Sequence, residues 1–526
     1  MKRIMILLTV LIGLPILIIA QDVITFEWEP RECSEYRNEV HLQATGGQEF
    51  TIDWGDGSEV ETETGTGKKT HLTHAYNGTG TYRAVITASS ENCRFTSLVF
   101  NNAGCGNDFY PLHSLDVSGC SALISLHCQY KQLKSLNLKG CTALTALYCG
   151  DNLLSSLDLT DNTELTHLNF LSNQLTGLDV GNNTKLVYLN CNYNRLTSLD
   201  LSTNIKLTNL DCGNNPLTGL DLDNNPALGV LYCSLSQLKE LDISHNPALS
   251  ILRCPYNELS SLDVTHNDSL FIIDCRYNSI TKLDVSRNKN LMELTCGNNQ
   301  LESLDVHNNL ELRELTCENN HLTNLDLDKD VFLWCWNNHL PLSHLFAISE
   351  TINTSTKCLG MQTLSPQIVN MGDVLFSEQS VFDNIFTNYV VTKDDIPASE
   401  TDYTVIDGKL IFNAPGSYTV TMTNEAIISQ AERPAEVIVE VTVQGGSGIR
   451  KNTMHNIRVS PNPTNGVFRV EDIDASYGNS EMKLFDATGR LLLTQKTTDE
   501  SIDISHLPPG IYYLQIDKAT SRIIKH

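Results

Sequence analysis

Three side chains that can do chemistry recur in the middle of the chain at a spacing of 21 residues: cysteine, aspartate and asparagine. An uneven set of tyrosine and arginine residues accompanies the cysteines. Thiolates bind soft metal ions and carboxylates bind hard divalent cations. Tyrosine and arginine are side chains that interfaces favour as anchors. The spacing therefore raises three hypotheses, namely a metal stack, a cation ladder and a recognition surface.

The cysteine column favours packing over metal binding. Zinc sites commonly draw on closely spaced pairs such as C-x-x-C, and the repeat contains no such pair. Each cysteine falls at an inward position of a short alternating segment, where a buried thiol acts as a small hydrophobe. We predict no metal site for this column, which comprises Cys128, Cys149, Cys191, Cys212, Cys233, Cys254, Cys275, Cys296, Cys317 and Cys335.

The aspartate column needs something to offset its own repulsion. Its members lie between two inward residues and should face solvent, where carboxylates ~4.8 Å apart repel by about 1 kcal/mol per pair in water. Hydrogen bonds from nearby backbone amides and from Ser, Thr or Asn side chains would offset this. The alternative is a ladder of bound cations, with calcium as the candidate cofactor, along Asp158, Asp179, Asp200, Asp221, Asp242 and Asp263.

A 21-residue unit must position these columns, because leucine recurs at that spacing from Leu123 to Leu312. Each half of a unit reads L-x-x-L-x-(L/C)-x-x-N, and this hallmark makes residues 112–345 resemble leucine-rich repeats. The resemblance implies a solenoid of about eleven coils with no room for a helix. Each half supplies a short strand, so we expect a ladder on both sides, or one ladder and one irregular edge. The asparagines should satisfy backbone groups at the turns.

The outward residues beside the cysteine column are the candidate binding site. Repeated structure requires no variety there, yet these positions vary and are rich in tyrosine. We predict that a protein or glycan partner binds this side, and the alternative is a solvated surface without a role. The predicted binding residues are Tyr130, Tyr148, Tyr188, Tyr193, Tyr232, Arg253, Tyr256, Arg276 and Tyr277.

Charge and the first residues indicate an exported protein. The formal net charge of -26 argues against a nucleic-acid partner, which needs clustered Lys and Arg. Lys2 and Arg3 precede an apolar run that ends at Ala20, which is the order of a signal peptide over residues 1–20. No later stretch reaches the ~20 apolar residues of a membrane span. Cys33 and Cys93 are candidates for a disulfide in such a protein.

Short alternating segments follow the predicted signal. Trp54-Gly55-Asp56-Gly57, His74-Ala75-Tyr76 and Gly80-Thr81-Tyr82 make residues 22–100 resemble a polycystic-kidney-disease (PKD) type β-sandwich. The resemblance implies a spacer or a weak carbohydrate or protein contact.

After the repeats, residues 351–444 change to β-branched segments with turn residues between them, which suggests an immunoglobulin-like sandwich. It should cover the open end of the solenoid. Residues 445–456, with Gly445-Gly446-Ser447-Gly448, are predicted to be a flexible linker.

The last segment, residues 457–526, carries four blocks in order. The first three blocks begin at Val459-Ser460-Pro461-Asn462-Pro463, Leu484-Phe485-Asp486 and Leu507-Pro508-Pro509-Gly510. The fourth block is a basic end that contains Arg522 and Lys525. This segment resembles the C-terminal sorting domain of the type IX secretion system. The resemblance implies contact with that machinery, export across the outer membrane of Bacteroidetes-like bacteria, and release or anchoring at the surface.

No catalytic motif accompanies these features, since G-x-S-x-G, H-E-x-x-H and a phosphate loop are all missing from the sequence. The sequence predicts a mainly β, multidomain protein, a leucine-rich repeat β-solenoid flanked by β-sandwich domains. Its predicted function is binding or adhesion outside the cell rather than catalysis. The alternatives are an enzyme or enzyme accessory with a site in residues 351–444, or a passive surface spacer.

Overall fold

The computed structural model describes residues 21–29, 38–76, 78, 80–100, 111–352, 357–430, 433–445, 458–460, 464–471, 481–486, 490–496, 501–516 and 519–525. The chain divides into two compact units, Met1–Gly445 and Gly446–His526. The predicted signal peptide, Cys33 and most of the predicted linker lie outside the described residues, so the Cys33–Cys93 disulfide stays a prediction. In the described part, no helix has both the length and the apolar character of a membrane span.

A seven-stranded sandwich comes first. Its inward positions alternate, as at Ile24 and Phe26, and are fully buried. Gly55 in the W-G-D-G turn has φ 78°, and a Cβ there would lie 2.2 Å from the Arg83 carbonyl oxygen, so the turn requires glycine. The strands are β1 (Val23–Trp28), β2 (Asn38–Ala44), β3 (Glu49–Asp53), β4 (Glu61–Thr64), β5 (Lys69–His74), β6 (Tyr82–Ala88) and β7 (Phe95–Phe100).

The repeats form a solenoid with one continuous ladder. The strands on one side pair in parallel and in register, with Leu126 opposite Leu147 and Leu147 opposite Leu168. On the other side, β8 and β10 are the only two strands within the described range 111–352 that pair with each other, so the solenoid has one ladder and one irregular edge. The strands are β8 (Leu112–Asp116), β9 (Ser125–His127), β10 (Ser135–Asn137), β11 (Ala146–Tyr148), β12 (His167–Asn169), β13 (Tyr188–Asn190), β14 (Asn209–Asp211), β15 (Val230–Tyr232), β16 (Ile251–Arg253), β17 (Ile272–Asp274), β18 (Glu293–Thr295), β19 (Glu314–Thr316) and β20 (Phe332–Trp334).

Leucine and cysteine fill the solenoid interior. The column leucines and cysteines are buried, and Phe170 takes the cysteine position once. The described cysteines other than Cys93, whose predicted partner lies outside the described residues, are free thiols. Burial raises the pKa of the Cys128, Cys233 and Cys275 thiols to about 12, so these thiols are neutral at ordinary pH.

The first asparagine column joins neighbouring coils. Asn215 is representative, since its Nδ2 donates to the carbonyls of Cys191, Cys212 and Gly213 at 3.0, 3.1 and 3.0 Å. Its Oδ1 accepts the Leu196 N–H at 3.0 Å. One amide thus satisfies backbone groups of two successive coils. The same pattern holds at Asn152, Asn173, Asn194, Asn257, Asn278, Asn299, Asn320 and Asn338.

The second asparagine column is less completely paired. Asn225 Nδ2 donates to the Leu201 and Asn204 carbonyls at 3.2 and 3.1 Å, but its buried Oδ1 accepts no hydrogen bond from the part of the chain that the structure describes. This column comprises Asn162, Asn183, Asn204, Asn225, Asn246, Asn267, Asn288 and Asn309.

The N-terminal sandwich closes the first coil of the solenoid. Strand β7 pairs in parallel with β9, and β1 pairs antiparallel with β8. Both sheets of the sandwich therefore continue into the repeats, and the ladder becomes part of a 14-stranded sheet. This pairing removes the exposed sheet edge that a solenoid end would otherwise present.

A helix and the segment that follows it cover the last coil of the solenoid. Helix α1 (Leu342–Thr351) buries Leu342, Leu345 and Ile348. The helix spans the predicted boundary between residues 345 and 351. The sequence pattern did not predict it, because its apolar residues follow the last repeat directly and continue the leucine pattern. Beyond it, Gln362 Nε2 donates to the Cys335 carbonyl at 3.0 Å and Oε1 accepts the Asn338 N–H at 3.1 Å. Gln362 thus replaces the next column asparagine.

The remainder of the first unit contains a five-stranded, a three-stranded and a two-stranded sheet. It contacts the last coil through Arg433, whose guanidinium lies 4.2 Å from the Trp336 ring centroid. A 3-10 helix covers Ser377–Gln379. The strands are β21 (Met361–Asn370), β22 (Val374–Leu375), β23 (Val381–Phe382), β24 (Ile385–Phe386), β25 (Asn388–Lys393), β26 (Ile396–Pro397), β27 (Tyr403–Ile406), β28 (Lys409–Phe412), β29 (Gly416–Thr423) and β30 (Glu436–Gln444).

The second unit has its own small β core, in which Phe468, Leu484 and Leu514 are buried. A three-stranded and a four-stranded sheet form it. The strands are β31 (Arg458–Ser460), β32 (Val467–Glu471), β33 (Glu481–Asp486), β34 (Leu491–Lys496), β35 (Ile502–Asp503), β36 (Gly510–Ile516) and β37 (Ala519–Lys525).

Candidate functional site

The outward side of the 14-stranded sheet, here called the sheet face, is the candidate site. Each ladder strand points its central residue inward and its two flanking residues outward. Because the strands are in register, the outward residues align in two rows. The first row is Ser125, Ala146, His167, Tyr188, Asn209, Val230, Ile251, Ile272, Glu293, Glu314 and Phe332. The second row is His127, Tyr148, Asn169, Asn190, Asp211, Tyr232, Arg253, Asp274, Thr295, Thr316 and Trp334.

The N-terminal sandwich extends both rows. In the second row, His127 lies opposite Val99, Val99 opposite His41, and His41 opposite His71. In the first row, Ser125 lies opposite Ser97, and the two hydroxyls are 3.0 Å apart. The surface is therefore continuous from the sandwich through the repeats.

A line of left-handed residues, here called the turn edge, borders the second row. It lies two residues after each column position, and its φ angles run from 52° to 59°. Asparagine adopts this conformation readily, whereas a bulky residue pays a steric cost. The turn edge comprises Tyr130, Asp151, Ser172, Tyr193, Asn214, Leu235, Tyr256, Tyr277, Asn298, Asn319 and Asn337.

The structure divides the nine predicted binding residues between these two features. On the sheet face lie Tyr148, Tyr188, Tyr232 and Arg253. On the turn edge lie Tyr130, Tyr193, Tyr256 and Tyr277, whose exposed fractions are 43%, 59%, 46% and 42%. Arg276 lies between Asp274 of the second row and Tyr277 of the turn edge. All nine thus belong to one side of the solenoid, and their role in binding stays a prediction.

Neighbouring coils stack the aromatic rings. The Tyr256 and Tyr277 rings have centroids 4.2 Å apart and an interplanar angle of 8°. The His127 and Tyr148 rings stack at 4.6 Å. Arg253 places its guanidinium carbon 5.7 Å from the Tyr232 ring centroid, within the range of a cation–π contact. Stacking of this kind holds exposed rings in place before any partner arrives.

The chemistry of the sheet face changes along its length. Its middle is polar, and there Asn192 Nδ2 donates to both carboxylate oxygens of Asp211 at 2.9 and 3.0 Å. Burial raises the pKa of Asp211. The following coils present the aliphatic side chains Val230, Ile251 and Ile272, which are half-buried.

The last coils of the ladder are acidic. Asp274 is buried and its Oδ2 lies 3.1 Å from Arg276 Nη2, while burial raises the pKa of Asp274. Glu293 and Glu314 lie opposite each other on adjacent strands. Burial, and then the charge of Glu293, raise the pKa of Glu314.

Glu318 adds a buried carboxylate to this acidic end. A Cβ at Gly297 would meet Glu318 Oε1 at 2.4 Å, so this carboxylate lies against the glycine, and its Oε2 has no hydrogen-bond partner among the described residues. Burial raises the pKa of Glu318. Together with the exposed ring of Trp334, these acids suit a partner that carries positive charge.

The aspartate column occupies the other half of each coil. Asp158 Oδ1 accepts the Thr160 N–H at 3.0 Å and the Thr160 hydroxyl at 2.7 Å, and Asp200 Oδ1 accepts the Ser202 N–H at 3.0 Å. These hydrogen bonds lower the pKa of Asp158 and Asp200. Equivalent bonds occur at Asp116, Asp179, Asp221, Asp242, Asp263, Asp284 and Asp305. Local hydrogen bonding therefore offsets the repulsion, and the calcium ladder stays a prediction.

Two groups of three ligating side chains converge among the described residues. The first is Asp223, Asp242 and His245, which includes one member of the aspartate column, and all three are exposed. The second is Glu39, His41 and His71, in the part of the sheet face that the sandwich supplies.

Sequence reasoning missed several residues of the sheet face. Glu293, Glu314, Phe332 and Trp334 hold the same outward positions as the predicted tyrosines, so the position within the repeat would have found them. The sandwich residues His41 and His71 carried only a weak signal, the alternation of polar residues with Val40 and Leu42 along one strand.

The solenoid and its asparagine columns define a leucine-rich repeat protein, and the comparisons with known proteins add an export signal. Residues 458–526 match the family described as secretion system C-terminal sorting domain. This type IX sorting domain indicates export to the cell surface or secretion. Among curated protein sequences, none matches the chain.

Solved structures similar to this chain include some that are described as leucine-rich repeat proteins or domains. The functional domain of InlJ from Listeria monocytogenes, described as including a cysteine ladder, is 25% identical with a TM-score of 0.47, over 66% of this chain and 72% of that one. The Leptospira interrogans LRR protein LIC12759 is 22% identical with a TM-score of 0.41, over 47% and 73%. YopM from Yersinia enterocolitica is 27% identical with a TM-score of 0.36, over 42% and 48%.

Proposed function

We propose that this exported protein binds a protein partner through the sheet face and the turn edge. The observation that carries the proposal is the placement of four tyrosines at left-handed turn-edge positions, where four of the other coils have asparagine. Their side chains are 42% to 59% exposed, so burial does not offset the backbone cost. Large, rigid and partly exposed aromatic side chains are effective interface anchors.

The chemistry of the sheet face supports a protein rather than a glycan as the partner. It offers aliphatic side chains beside an acidic end that contains Glu293 and Glu314. An extended surface of this mixture matches a partner with apolar and basic groups. The proposed partner is therefore a protein with a basic region, and the PKD-like and immunoglobulin-like domains act as supports.

The alternative of an enzyme receives less support. A cavity of about 600 Å³ lies in the part of the first unit that follows the solenoid, lined by residues that include Phe386, Asn424 and Ile427. Among its described lining residues, Glu425 is the one titratable side chain. A single carboxylate there lacks the adjacent base or second charged group that activates a catalytic nucleophile. We infer that the chain recognises its partner without catalysing a reaction.

Arrays of extracellular protein domains and of glycans, probed with the labelled chain, test the proposal. We expect signals on the protein array, and we expect the triple variant Tyr193→Asn, Tyr256→Asn, Tyr277→Asn to lose them. Asparagine is native at the equivalent positions of four other coils, so the variant should keep or slightly raise its melting temperature.

The matched control changes three residues in the other half of the coils, Asp179→Asn, Asp200→Asn and Asp221→Asn. It should retain every signal. Retention of the signals by the tyrosine variant would overturn the proposal and favour a passive spacer. Signals confined to the glycan array would show that the partner is a glycan rather than a protein.

A further inference from the structure

The sheet face begins with three side chains that can ligate a metal. Strand β2 buries Val40 and Leu42 completely, so Glu39 and His41 point to the opposite, outward side. Strand β5 pairs antiparallel with β2 and places His71 directly opposite His41. One carboxylate and two imidazoles therefore share one side of a two-stranded segment.

The three side chains converge on one point. Glu39 Oε1 lies 2.9 Å from His41 Nε2 and 2.7 Å from His71 Nδ1. The two rings stack with centroids 4.1 Å apart and an interplanar angle of 24°, so their nitrogens approach the same oxygen side by side. In a tetrahedral zinc site the ligand atoms are about 3.3 Å apart, because each bond is about 2.0 Å long. Small side-chain rotations would therefore convert this cluster into a coordination site.

The donor set identifies the class of ion. Two imidazole nitrogens and one carboxylate oxygen suit zinc and neighbouring first-row metals, whereas calcium and magnesium prefer six or more oxygen ligands. We propose that Glu39, His41 and His71 bind a zinc ion on the outward side of the N-terminal sandwich. Nothing in this site depends on the proposed partner binding.

The surroundings leave one side of the site open. The Glu39 and His41 side chains are 20% and 16% exposed, and that of His71 is 64% exposed. The shielded side strengthens the attraction between the ion and the carboxylate. The open side leaves the fourth position of a tetrahedral ion to water or to a donor from another molecule. Because His41 and His71 begin the second row, the ion would lie at the end of the sheet face.

Calorimetry with zinc chloride tests the site directly. We expect the full chain, purified without a polyhistidine tag and freed of metal, to bind one equivalent at this site. His41→Ala and His71→Ala should each weaken binding by more than the roughly 10- to 100-fold that loss of an outer-shell partner costs. His245→Ala is the matched control, because His245 lies beside two carboxylates in the other convergent group and should not contribute.

Cobalt absorption identifies the ligands in the same preparations. A site of imidazole and carboxylate gives weak d–d bands that His41→Ala removes, whereas thiolate ligation by cysteine adds intense charge-transfer bands. His41→Gln, checked by circular dichroism, separates loss of the ligand from loss of the fold. The proposal fails if the folded native chain binds no zinc, if folded His41 variants bind it undiminished, or if the cobalt spectrum shows thiolate ligands.

Discussion

The two halves of each coil carry carboxylates that behave in opposite ways. In the repeated aspartate column, Asp242 and Asp284 are exposed, and hydrogen bonds from the side chain and then the backbone N–H of Ser244 and Ser286 lower the pKa of both. On the side of the sheet face, Asp274 and Glu318 are buried, which raises the pKa of both. A carboxylate that recurs from coil to coil, at a site that stabilises its ionised form, contributes to the structure of the coil. A residue that occurs in few coils at an unfavourable site requires another explanation, and recognition provides one.

The same contrast holds for the amide and aromatic columns. Asn215 is buried and bonds two coils together, as its equivalents do along the solenoid. Tyr193 occupies a left-handed position that suits asparagine, and its side chain is 59% exposed. Repetition therefore marks structure, and departure from repetition marks the candidate site. Substitutions in the two sets should have effects of different size and sign.

The largest effect is expected from Asn215→Ala. The change leaves the Cys191, Cys212 and Gly213 carbonyls and the Leu196 N–H without their shared partner. Each buried unpaired group costs about 1–3 kcal/mol, so the free energy of unfolding should fall by about 3 kcal/mol or more. Urea denaturation followed by circular dichroism measures the change.

The neighbouring residue gives the control for this experiment. Asn214→Gly retains the left-handed backbone and removes a side chain on the turn edge. Its cost should stay below about 1 kcal/mol. Equal losses for the two variants would mean that the buried amide column does not hold the coils together.

A somewhat smaller loss is expected from Cys254→Ser. Cys254 is fully buried in the thiol column, and a serine hydroxyl would enter an apolar site at a cost of about 1–3 kcal/mol. Cys254→Ala removes the sulfur without adding a polar group and should cost less than serine. Denaturation midpoints of the two variants decide between an apolar column and one that accommodates polar groups. If Cys254→Ser were as stable as Cys254→Ala, the result would contradict a role of the thiol column in apolar packing.

The two carboxylate sets should respond to pH with opposite signs. The Asp242 and Asp284 carboxylates have a folded pKa below the ordinary value of 3.8, so they stabilise the fold above that pH and stop doing so as pH falls through the folded pKa. The Glu314 and Glu318 carboxyls have a folded pKa above 4.5, so their ionisation opposes folding at neutral pH and this opposition disappears on acidification.

Melting temperatures from pH 7 to pH 3 would separate the two sets. Asp242→Ala with Asp284→Ala should lower the melting temperature at pH 7, and the difference should shrink in acid. Glu314→Gln with Glu318→Gln should raise it at pH 7, and that difference should also shrink in acid. Changes of the same sign at pH 7 would remove the distinction between the two sets.

The repeating part of the fold could be predicted because the sequence of each half-unit determines its strand and its turn locally. Leucine and cysteine alternate with polar residues, which defines the inward and outward positions, and the asparagines mark the turns. This local pattern predicted the sheet face and placed all nine candidate residues on one side. The exposure of the aspartate column followed from the same alternation.

Two kinds of feature could not be predicted from the local pattern: strand pairing between segments that are distant in the sequence, and positive φ angles at residues other than glycine or asparagine. The pairing of β1 with β8 and of β7 with β9 joins the sandwich to the solenoid, and no local pattern specifies it. The convergence of Glu39, His41 and His71 depends on the register between β2 and β5. The left-handed conformation of Tyr193 was hidden because tyrosine, unlike asparagine or glycine, does not signal it.

The smallest and most informative effect is expected from Tyr193→Asn. Asparagine is native at the next turn-edge position, Asn214, whose φ of 52° nearly equals the 53° of Tyr193. Relief of the steric cost should raise the free energy of unfolding by up to about 1 kcal/mol. The reverse change, Asn214→Tyr, should lower it by a similar amount, and thermal unfolding of both variants measures the pair. A gain in stability accompanied by a loss of partner binding would show that the tyrosine is retained for recognition at the expense of the fold. If Tyr193→Asn lowered the stability instead, the ring would be part of the packing, and the turn edge would belong with the repeated columns.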